Sequence, residues 1–269
     1  MTQLPDRMLL IGCGNMGGAM LDGWLAGGVT PATFTVVDPY VEHVPDGVRL
    51  FRELPNEEFD AVLLAIKPQG LSEAAEAIER VIGPRTVLLS ILAGVELATL
   101  AQAFPRAGGL VRVMPNLSAA LSKSPIALAG TGLGQAQTAM VDALADLLGQ
   151  GEWFEENLFD LLTALAGSGP AFVYRFIDAL GAGAAELGLP EAQARRLALA
   201  TVEGATALAM QSDFSPGELA RKVASPGGTT EAGLKVMDAQ DRVLTLMRDT
   251  LEAAARRGAE MAQESRKTR

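Results

Sequence analysis

The residues from Gly12 to Gly17 (Gly12-Cys13-Gly14-Asn15-Met16-Gly17) have the spacing G-x-G-x-x-G and directly follow the apolar run Met8-Leu9-Leu10-Ile11. Between a strand and a helix, the first glycine of such a turn permits a tight bend. The second lets backbone approach a pyrophosphate, and the third lets helix pack on strand. The helix start adds unpaired N–H groups and a partial positive charge, both suited to phosphate. Glycine-rich turns also arise for packing alone, so the surroundings decide. A second β-branched run, Phe34-Thr35-Val36-Val37, ends in Asp38, about 20 residues after the last glycine, where a ribose-binding acid belongs. Together these residues predict a dinucleotide site made of Gly12, Cys13, Gly14, Asn15, Met16, Gly17 and Asp38. A carboxylate at position 38 can accept from both ribose hydroxyls of NAD. It would repel the 2′-phosphate of NADP by roughly 4 kcal/mol per unit charge at about 4 Å and an effective dielectric of about 20. No Arg follows immediately to receive a phosphate, so the expected cofactor is NADH or NADPH with NADH favoured. The alternative is that Asp38-Pro39 only begins a turn. Cys13 reads as a small apolar filler rather than a reactive thiol.

A second cluster lies far along the chain: Ser225-Pro226-Gly227-Gly228-Thr229-Thr230, followed by Glu231-Ala232-Gly233-Leu234, which reads as the start of a helix. Two glycines before a helix N-terminus free several N–H groups to face one anion. A substrate carboxylate suits such a cradle, which gives Ser225, Gly227, Gly228, Thr229 and Thr230 as candidate binding residues. The plainer reading makes Thr229 or Thr230 an N-cap. Other candidates stand at carboxyl ends of apolar strands, where α/β sheets bind ligands. These are Ala65, Lys67 and Pro68 after one run, Ala93 and Gly94 after the next, and Asn116 after a third. Lys67 is either near the cofactor or a solvated strand-end lysine. Asn116 either bonds ribose or carboxamide, or is an ordinary turn residue.

These groups need elements to position them. The first half alternates apolar strand candidates with helical stretches: runs at 61–65, 86–91, 111–114 and 125–129, with helices expected over 16–25, 71–81 and 135–148. Near-continuous apolar strands between helices imply a parallel sheet covered on both faces. Beyond Trp153 no convincing strand remains. Leu158, Leu161, Leu162 and Leu165 keep helical spacing, as do Leu197, Thr201, Ala205 and Leu208, and a third stripe runs through Val243, Leu246 and Met247. The predicted fold is an α/β Rossmann-type N-terminal domain over 1–155 and an all-α helical domain over 156–269. The helical half is rich in Ala and Gly, which let helices approach closely, so an intertwined dimer is expected.

Bulk properties narrow the classes further. At 269 residues the chain holds one large or two modest domains, and with 49% apolar and 20% charged residues a sizeable core is available. The formal charge of −10 argues against nucleic acid or an anionic membrane as partner. One Cys and one His, His43 in a loop-like stretch, leave little for a metal site, a Cys–His pair or a Ser-His-Asp triad. Chemistry is therefore expected from a cofactor, with hydroxyls, amides and carboxylates in support. The N-terminus does not read as a signal peptide, and a soluble cytoplasmic protein is expected.

Six segments taken together resemble the pyrroline-5-carboxylate reductase family. They are the Gly12–Gly17 turn, Ala65-Ile66-Lys67-Pro68-Gln69, Ser90-Ile91-Leu92-Ala93-Gly94-Val95, Arg112-Val113-Met114-Pro115-Asn116, Gly167-Ser168-Gly169-Pro170-Ala171-Phe172 and Ser225-Pro226-Gly227-Gly228-Thr229-Thr230. The last is the most specific. The resemblance implies NAD(P)H-dependent reduction of 1-pyrroline-5-carboxylate to L-proline, a Rossmann domain followed by a helical dimerisation domain, and a homodimer or higher oligomer. It also implies that Thr230 stands at the imine nitrogen as the catalytic hydroxyl. One stretch departs from the family's pattern: Leu117-Ser118-Ala119-Ala120-Leu121-Ser122-Lys123 replaces Thr-Pro-Ala and a following glycine. That change opens the alternative of a paralogue acting on a different cyclic imine. Separate alternatives are a reductase of a small oxo acid and a catalytically silent dinucleotide-binding homologue, the latter opposed by the intact glycines and the Gly-Gly-Thr-Thr turn. Lys222 and Lys235 of the helical half lie in no recognised motif for protonating a substrate oxygen.

Overall fold

The computed structural model describes residues 4–267. Strand β1 (Met8–Ile11) leads through the glycine turn into α1 (Asn15–Ala26), then β2 (Phe34–Val37) and the short β3 (Arg49–Phe51). Next come β4 (Ala61–Leu64), α2 (Leu71–Glu79), β5 (Val87–Ser90), α3 (Leu97–Ala103) and β6 (Gly109–Met114). β7 (Ser124–Thr131), α4 (Gln135–Asp146) and β8 (Gly149–Trp153) complete one sheet in the order β3-β2-β1-β4-β5-β6-β7-β8.

Alternation along each strand builds two cores. Met8 and Leu10, with Ala61 and Leu63, face one layer; Leu9 and Ile11, with Val62 and Leu64, face the other. All of these are buried, and burial of each large side chain contributes roughly 1.5–3 kcal/mol. Two-sided burial is why these strands read as unbroken apolar runs.

The sheet departs from the all-parallel expectation at one pair, because β6 and β7 run antiparallel. The reason is chain length: 115–123 is too short for a crossover, which needs a dozen or more residues, and it turns back through a 3-10 helix over Leu117–Leu121. The two outermost strands, β3 and β8, lack the apolar signature. β3 is only half-buried, and β8 carries Gly149, Gly151 and Glu152 on the far edge.

Beyond β8 the described residues form helices: α5 (Phe159–Leu162), a π-turn over Thr163–Gly167, α6 (Gly169–Glu186), α7 (Glu191–Met210), α8 (Pro216–Val223), α9 (Thr229–Asp238) and α10 (Arg242–Lys267). The chain divides into two compact units, one holding residues up to Ser168 together with those from Ala253 onward, the other Gly169–Glu252. This division falls later than the 155/156 boundary read from the sequence. Residues 156–162 pack on the sheet, with Phe159 fully buried in its second core.

The second unit is built differently. Helices α6 and α7 approach closely at Gly181, where a Cβ would stand 3.3 Å from Arg195 Cα. Among the described residues its only buried apolar side chains are Ala194 and Ala198, whereas Tyr174, Leu187, Leu197 and Leu208 are exposed. The helical periodicity therefore marks apolar faces that this chain does not cover by itself.

Candidate cofactor and substrate sites

Each glycine of the turn has a distinct task. Gly12 has φ +90°, and a Cβ there would lie 2.6 Å from the Ala65 carbonyl oxygen. At Gly17 a Cβ would meet the Gly12 oxygen at 2.8 Å and the Ala65 Cβ at 3.1 Å. Gly14 has nothing within 4 Å of such an atom, so space stays open at the middle of the turn. Helix α1 begins there with no side-chain cap, and the amides of Asn15 and Met16 have no partner among the described residues. Open space beside uncapped amides fits a pyrophosphate, so the residues present fit a dinucleotide.

Asp38 sits at the carboxyl end of β2, buried, with both carboxylate oxygens engaged. Oδ2 accepts the Cys13 amide at 2.8 Å; Oδ1 accepts those of Tyr40 at 2.7 Å and Val41 at 3.0 Å. Burial alone would raise its pKa, but these three amides and the Arg52 charge outweigh that and hold the carboxyl below its ordinary value. It is a fixed anion tied to the glycine turn. No arginine follows Asp38 immediately in the sequence, and the fold brings one beside it. β2 and β3 pair with Val37 opposite Phe51, so Arg52 emerges beside Asp38 and donates from Nη1 to the Asp38 carbonyl at 2.7 Å and to the Val41 carbonyl. Cys13 is inert: burial first, then Asp38 and Asp22, pushes its thiol up to about 11.

The other strand-end candidates separate into two kinds. Lys67 is exposed after β4, before the turn that starts at Pro68, and has no ion-pair partner among the described residues. Ala93 and Gly94 form a half-buried turn after β5, with Gly94 at φ +73°. Asn116 instead has structural partners. Its Nδ2 donates to the Ala166 carbonyl at 2.8 Å, and its Oδ1 accepts the Ser118 amide at 2.9 Å and the Ser118 hydroxyl. Its acceptor side is spent holding the Leu117–Leu121 turn. That turn docks on α1, where a Cβ on Gly23 would overlap the Ala119 carbonyl.

The second cluster also differs from its expectation in one respect. Gly227 adopts φ +70°, and its amide donates to Glu231 Oε2 at 2.7 Å; the Gly228 amide donates to the Ser225 carbonyl at 2.9 Å. Both glycine amides are thus used inside the turn and do not form the anion cradle. The open amides are the next two, Thr229 and Thr230, which begin α9 without partners among the described residues. The N-cap is Gly228, with no side-chain cap bond, so neither threonine caps the helix. Both threonines and Ser225 are exposed, and neither threonine hydroxyl is spent on another described residue. Glu231 is held ionised first by the Gly227 amide and then by Lys235, whose Nζ lies 3.1 Å from it. Sequence reading missed Glu231; its position four residues after the first glycine was the available signal.

Arg112, quoted above only as part of a motif, has a defined structural task. Its guanidinium is buried, donates to Glu156 at 3.0 Å and stacks 4.2 Å over the Phe159 ring. The same Glu156 oxygen accepts the Leu97 amide at 2.7 Å, so one carboxylate joins α3, β6 and the segment leading into α5. Among the described residues no cluster of His, Cys, Asp and Glu could hold a metal ion, and no helix is long and apolar enough to cross a membrane.

Comparison with known proteins places these features among relatives. The family model described as pyrroline-5-carboxylate reductase dimerisation matches residues 156–261, and one described as ketopantoate reductase PanE/ApbA matches residues 29–136. Pyrroline-5-carboxylate reductase 2 of Bacillus subtilis (strain 168) is 35% identical over 265 residues, covering 94% of each chain. The pyrroline-5-carboxylate reductase of Pseudomonas aeruginosa is 33% identical over 268 residues, covering 96% of this chain and 97% of that one. Among solved structures, a pyrroline-5-carboxylate reductase from Coxiella burnetii superposes with a TM-score of 0.87 at 27% identity, covering 95% of this chain and 98% of that one.

Proposed function

The chain belongs to the pyrroline-5-carboxylate reductase family, and we propose a division of labour among its residues for the reaction of that family. The reaction is reduction of the C=N bond of 1-pyrroline-5-carboxylate to L-proline with NADH or NADPH. The bound nicotinamide supplies the hydride.

Under this proposal the first half, 1–155, holds the dinucleotide. The amides of Asn15 and Met16 face the pyrophosphate, Gly14 leaves room for it, and Asp38 meets the adenosine ribose. Lys67, Pro68, Ala93 and Gly94 line the sheet edge beside it, with Ala65 supporting the glycine turn. The fixed negative charge on Asp38 supports a preference for NADH. Asn116 shapes this edge rather than bonding the cofactor.

The helical half, 156–269, takes the substrate. The amides of Thr229 and Thr230 hold its carboxylate, while Ser225, Gly227 and Gly228 set the turn that aims them. The Thr230 hydroxyl bonds the imine nitrogen, which gains electron density and takes up a proton as the adjacent carbon is reduced. The observation that carries this reading is the start of α9, two unpaired amides and an unused hydroxyl on consecutive residues with no cap to occupy them. NADH oxidation should be rapid with pyrroline-5-carboxylate and much slower with its six-membered homologue and with pyruvate. The reverse ranking would favour a related imine, the alternative that the altered 117–123 loop raises, or a small oxo acid.

Self-association belongs to the same proposal. The second unit buries almost no large apolar side chain within one chain, and a second copy is the simplest cover for those faces. Sedimentation should show a dimer or larger; a monodisperse 28.1 kDa species at micromolar concentration would refute it. A cytoplasmic location is proposed with it, on the strength of the small polar substrate and the absence of a membrane-crossing helix among the described residues.

A further inference from the structure

Two helices of the second unit carry a glutamate at their third position and use it differently. In α8, Glu218 completes an ordinary capping box. It accepts the amide of its own N-cap, Ser215, at 2.8 Å, and the Ser215 hydroxyl accepts the Glu218 amide at 3.3 Å. In α9 the N-cap is Gly228, whose amide goes to the Ser225 carbonyl at 2.9 Å instead. Glu231 reaches past it to the amide of Gly227 at 2.7 Å, one residue outside the helix, where φ is +70°. That bond closes the glycine turn and caps nothing in α9. The other carboxylate oxygen, Oε1, lies 3.1 Å from Lys235 Nζ, one helical turn further on.

The geometry points to Glu231 as a positioning residue for the substrate carboxylate, a latch on the Ser225–Thr230 turn whose charge Lys235 offsets. This rests on the reading of the start of α9 as the carboxylate site. A turn with two adjacent glycines is free to redirect its amides, because glycine populates many backbone conformations. Gly228 is restrained by its neighbour, since a Cβ there would stand 3.0 Å from the Ser225 carbonyl oxygen. Gly227 has nothing within 4 Å of such an atom, so packing leaves it loose and the Glu231 bond holds it. With both glycine amides turned inward, those of Thr229 and Thr230 remain open, two donors for the two oxygens of a carboxylate.

The latch also sets a negative charge beside the site, and an ionised carboxylate there opposes an anionic substrate. Lys235 is the cation placed to offset it. Lys222, the only other lysine of this unit, is engaged elsewhere, with Nζ 3.5 Å from the centre of the Phe214 ring. The ion pair is too exposed to add much to stability, at 36% for the Glu231 side chain and 70% for that of Lys235. A role in binding can therefore be measured apart from a role in folding.

The test is steady-state kinetics with pyrroline-5-carboxylate and NADH on wild type, T230A, K235Q, E231Q/K235Q and E231A/K235Q. NADH affinity by fluorescence titration and thermal unfolding are measured on the same samples. The two double variants carry equal charge and differ in one acceptor, since a glutamine oxygen can take the Gly227 amide and alanine cannot. E231A/K235Q should raise the substrate KM at least about fivefold with a smaller fall in kcat, and E231Q/K235Q should recover most of that loss. K235Q leaves the carboxylate unopposed. Its KM should rise about threefold at about 0.01 M salt, and the rise should vanish toward about 1 M, where the Debye length is about 3 Å. Tm and NADH affinity should stay close to wild type throughout. Equal KM in the two double variants would overturn the latch, as would a fall in Tm of E231A/K235Q at unmoved KM, the mark of a helix cap alone. A K235Q effect that persists in high salt would overturn the part given to Lys235. The underlying reading is tested separately by wild type and T230A. If wild type does not reduce pyrroline-5-carboxylate, or T230A matches it, that reading fails and the proposal with it; if T230A is slow and the double variants agree, only the proposal fails.

Discussion

Replacing Thr230 with Ala isolates the chemistry assigned to its hydroxyl, because the structure gives that hydroxyl no other task. Thr230 is exposed, its side chain makes no hydrogen bond to another described residue, and the N-cap of α9 is Gly228. Removal therefore breaks nothing in the folded chain. Alanine is also the better helix former by a few tenths of a kcal/mol, so stability should stay within about 0.5 kcal/mol of wild type or rise slightly. Hydrogen-bond or proton assistance in a transition state contributes roughly 10²–10⁴-fold, and an exposed hydroxyl belongs at the low end. Thr230→Ala should accordingly lose about two orders of magnitude in kcat, roughly 2.7 kcal/mol of transition-state stabilisation. The loss should fall on kcat more than on KM, since the hydroxyl meets charge that develops only as hydride arrives. The assay is steady-state NADH oxidation, with NADH affinity and thermal unfolding measured on the same samples. Thr230→Ser should retain much of the activity, and Thr229→Ala serves as the control for the helix start. Equal small losses at both positions, or a rise in KM at unchanged kcat, would refute the role given to Thr230.

The glycines of the turn should separate folding from binding. Gly12→Ala meets a carbonyl oxygen at 2.6 Å and a positive φ, so it should cost about 2–3 kcal/mol and lower Tm by roughly 4–12 °C. Gly14→Ala meets nothing within 4 Å and should leave Tm unchanged while weakening NADH at least about tenfold by titration. Glu156→Gln should destabilise more than Arg112→Met in denaturant unfolding, because it strands the more buried charge. The side chains are 5% exposed for Arg112 and 32% for Glu156, which puts the expected losses at about 2–4 kcal/mol. The Cys13 thiol should alkylate slowly at pH 8 and accelerate only toward pH 11, following its raised pKa of about 11. Rapid modification at neutral pH would contradict the burial and the acidic neighbours that hold it protonated.

What the sequence made legible was whatever local patterning controls. β1, β2, β4 and β5 were readable because two-sided burial demands unbroken apolar runs, and the glycine turn because positive φ at Gly12 and contact at Gly17 exclude a Cβ. β3 and β8 were not, since an edge strand covered on one side needs no such run. Missing β3 also hid Arg52, whose place beside Asp38 is a matter of register between strands and not of spacing along the chain. The antiparallel β6–β7 pair was open to inference from the short 115–123 connection, a length argument that apolar periodicity does not contain. In the helical half the stripes were legible but their destination was not. Leu197 and Leu208 keep a helical period and yet remain exposed, because the surface they fit lies outside one chain's own contacts.

The two proposed anion sites suit an acidic chain. With a net charge of −10, a site built on lysines would sit in an opposing field, whereas amides at a helix start act over a few ångströms and need no net charge. Such amides stay available only if nothing nearby caps them. At α1 and α9 the residues in the N-cap position are both glycines, Gly14 and Gly228, which have no side chain to donate or accept. Serine or aspartate there would strengthen the helix by only about a few tenths of a kcal/mol but would fill the site with the protein's own oxygen. At the end of β2 the protein does supply its own oxygens, since the Asp38 carboxylate accepts the amides of Cys13, Tyr40 and Val41. A glycine cap leaves backbone amides open and a carboxylate closes them, the same backbone device used with opposite sign.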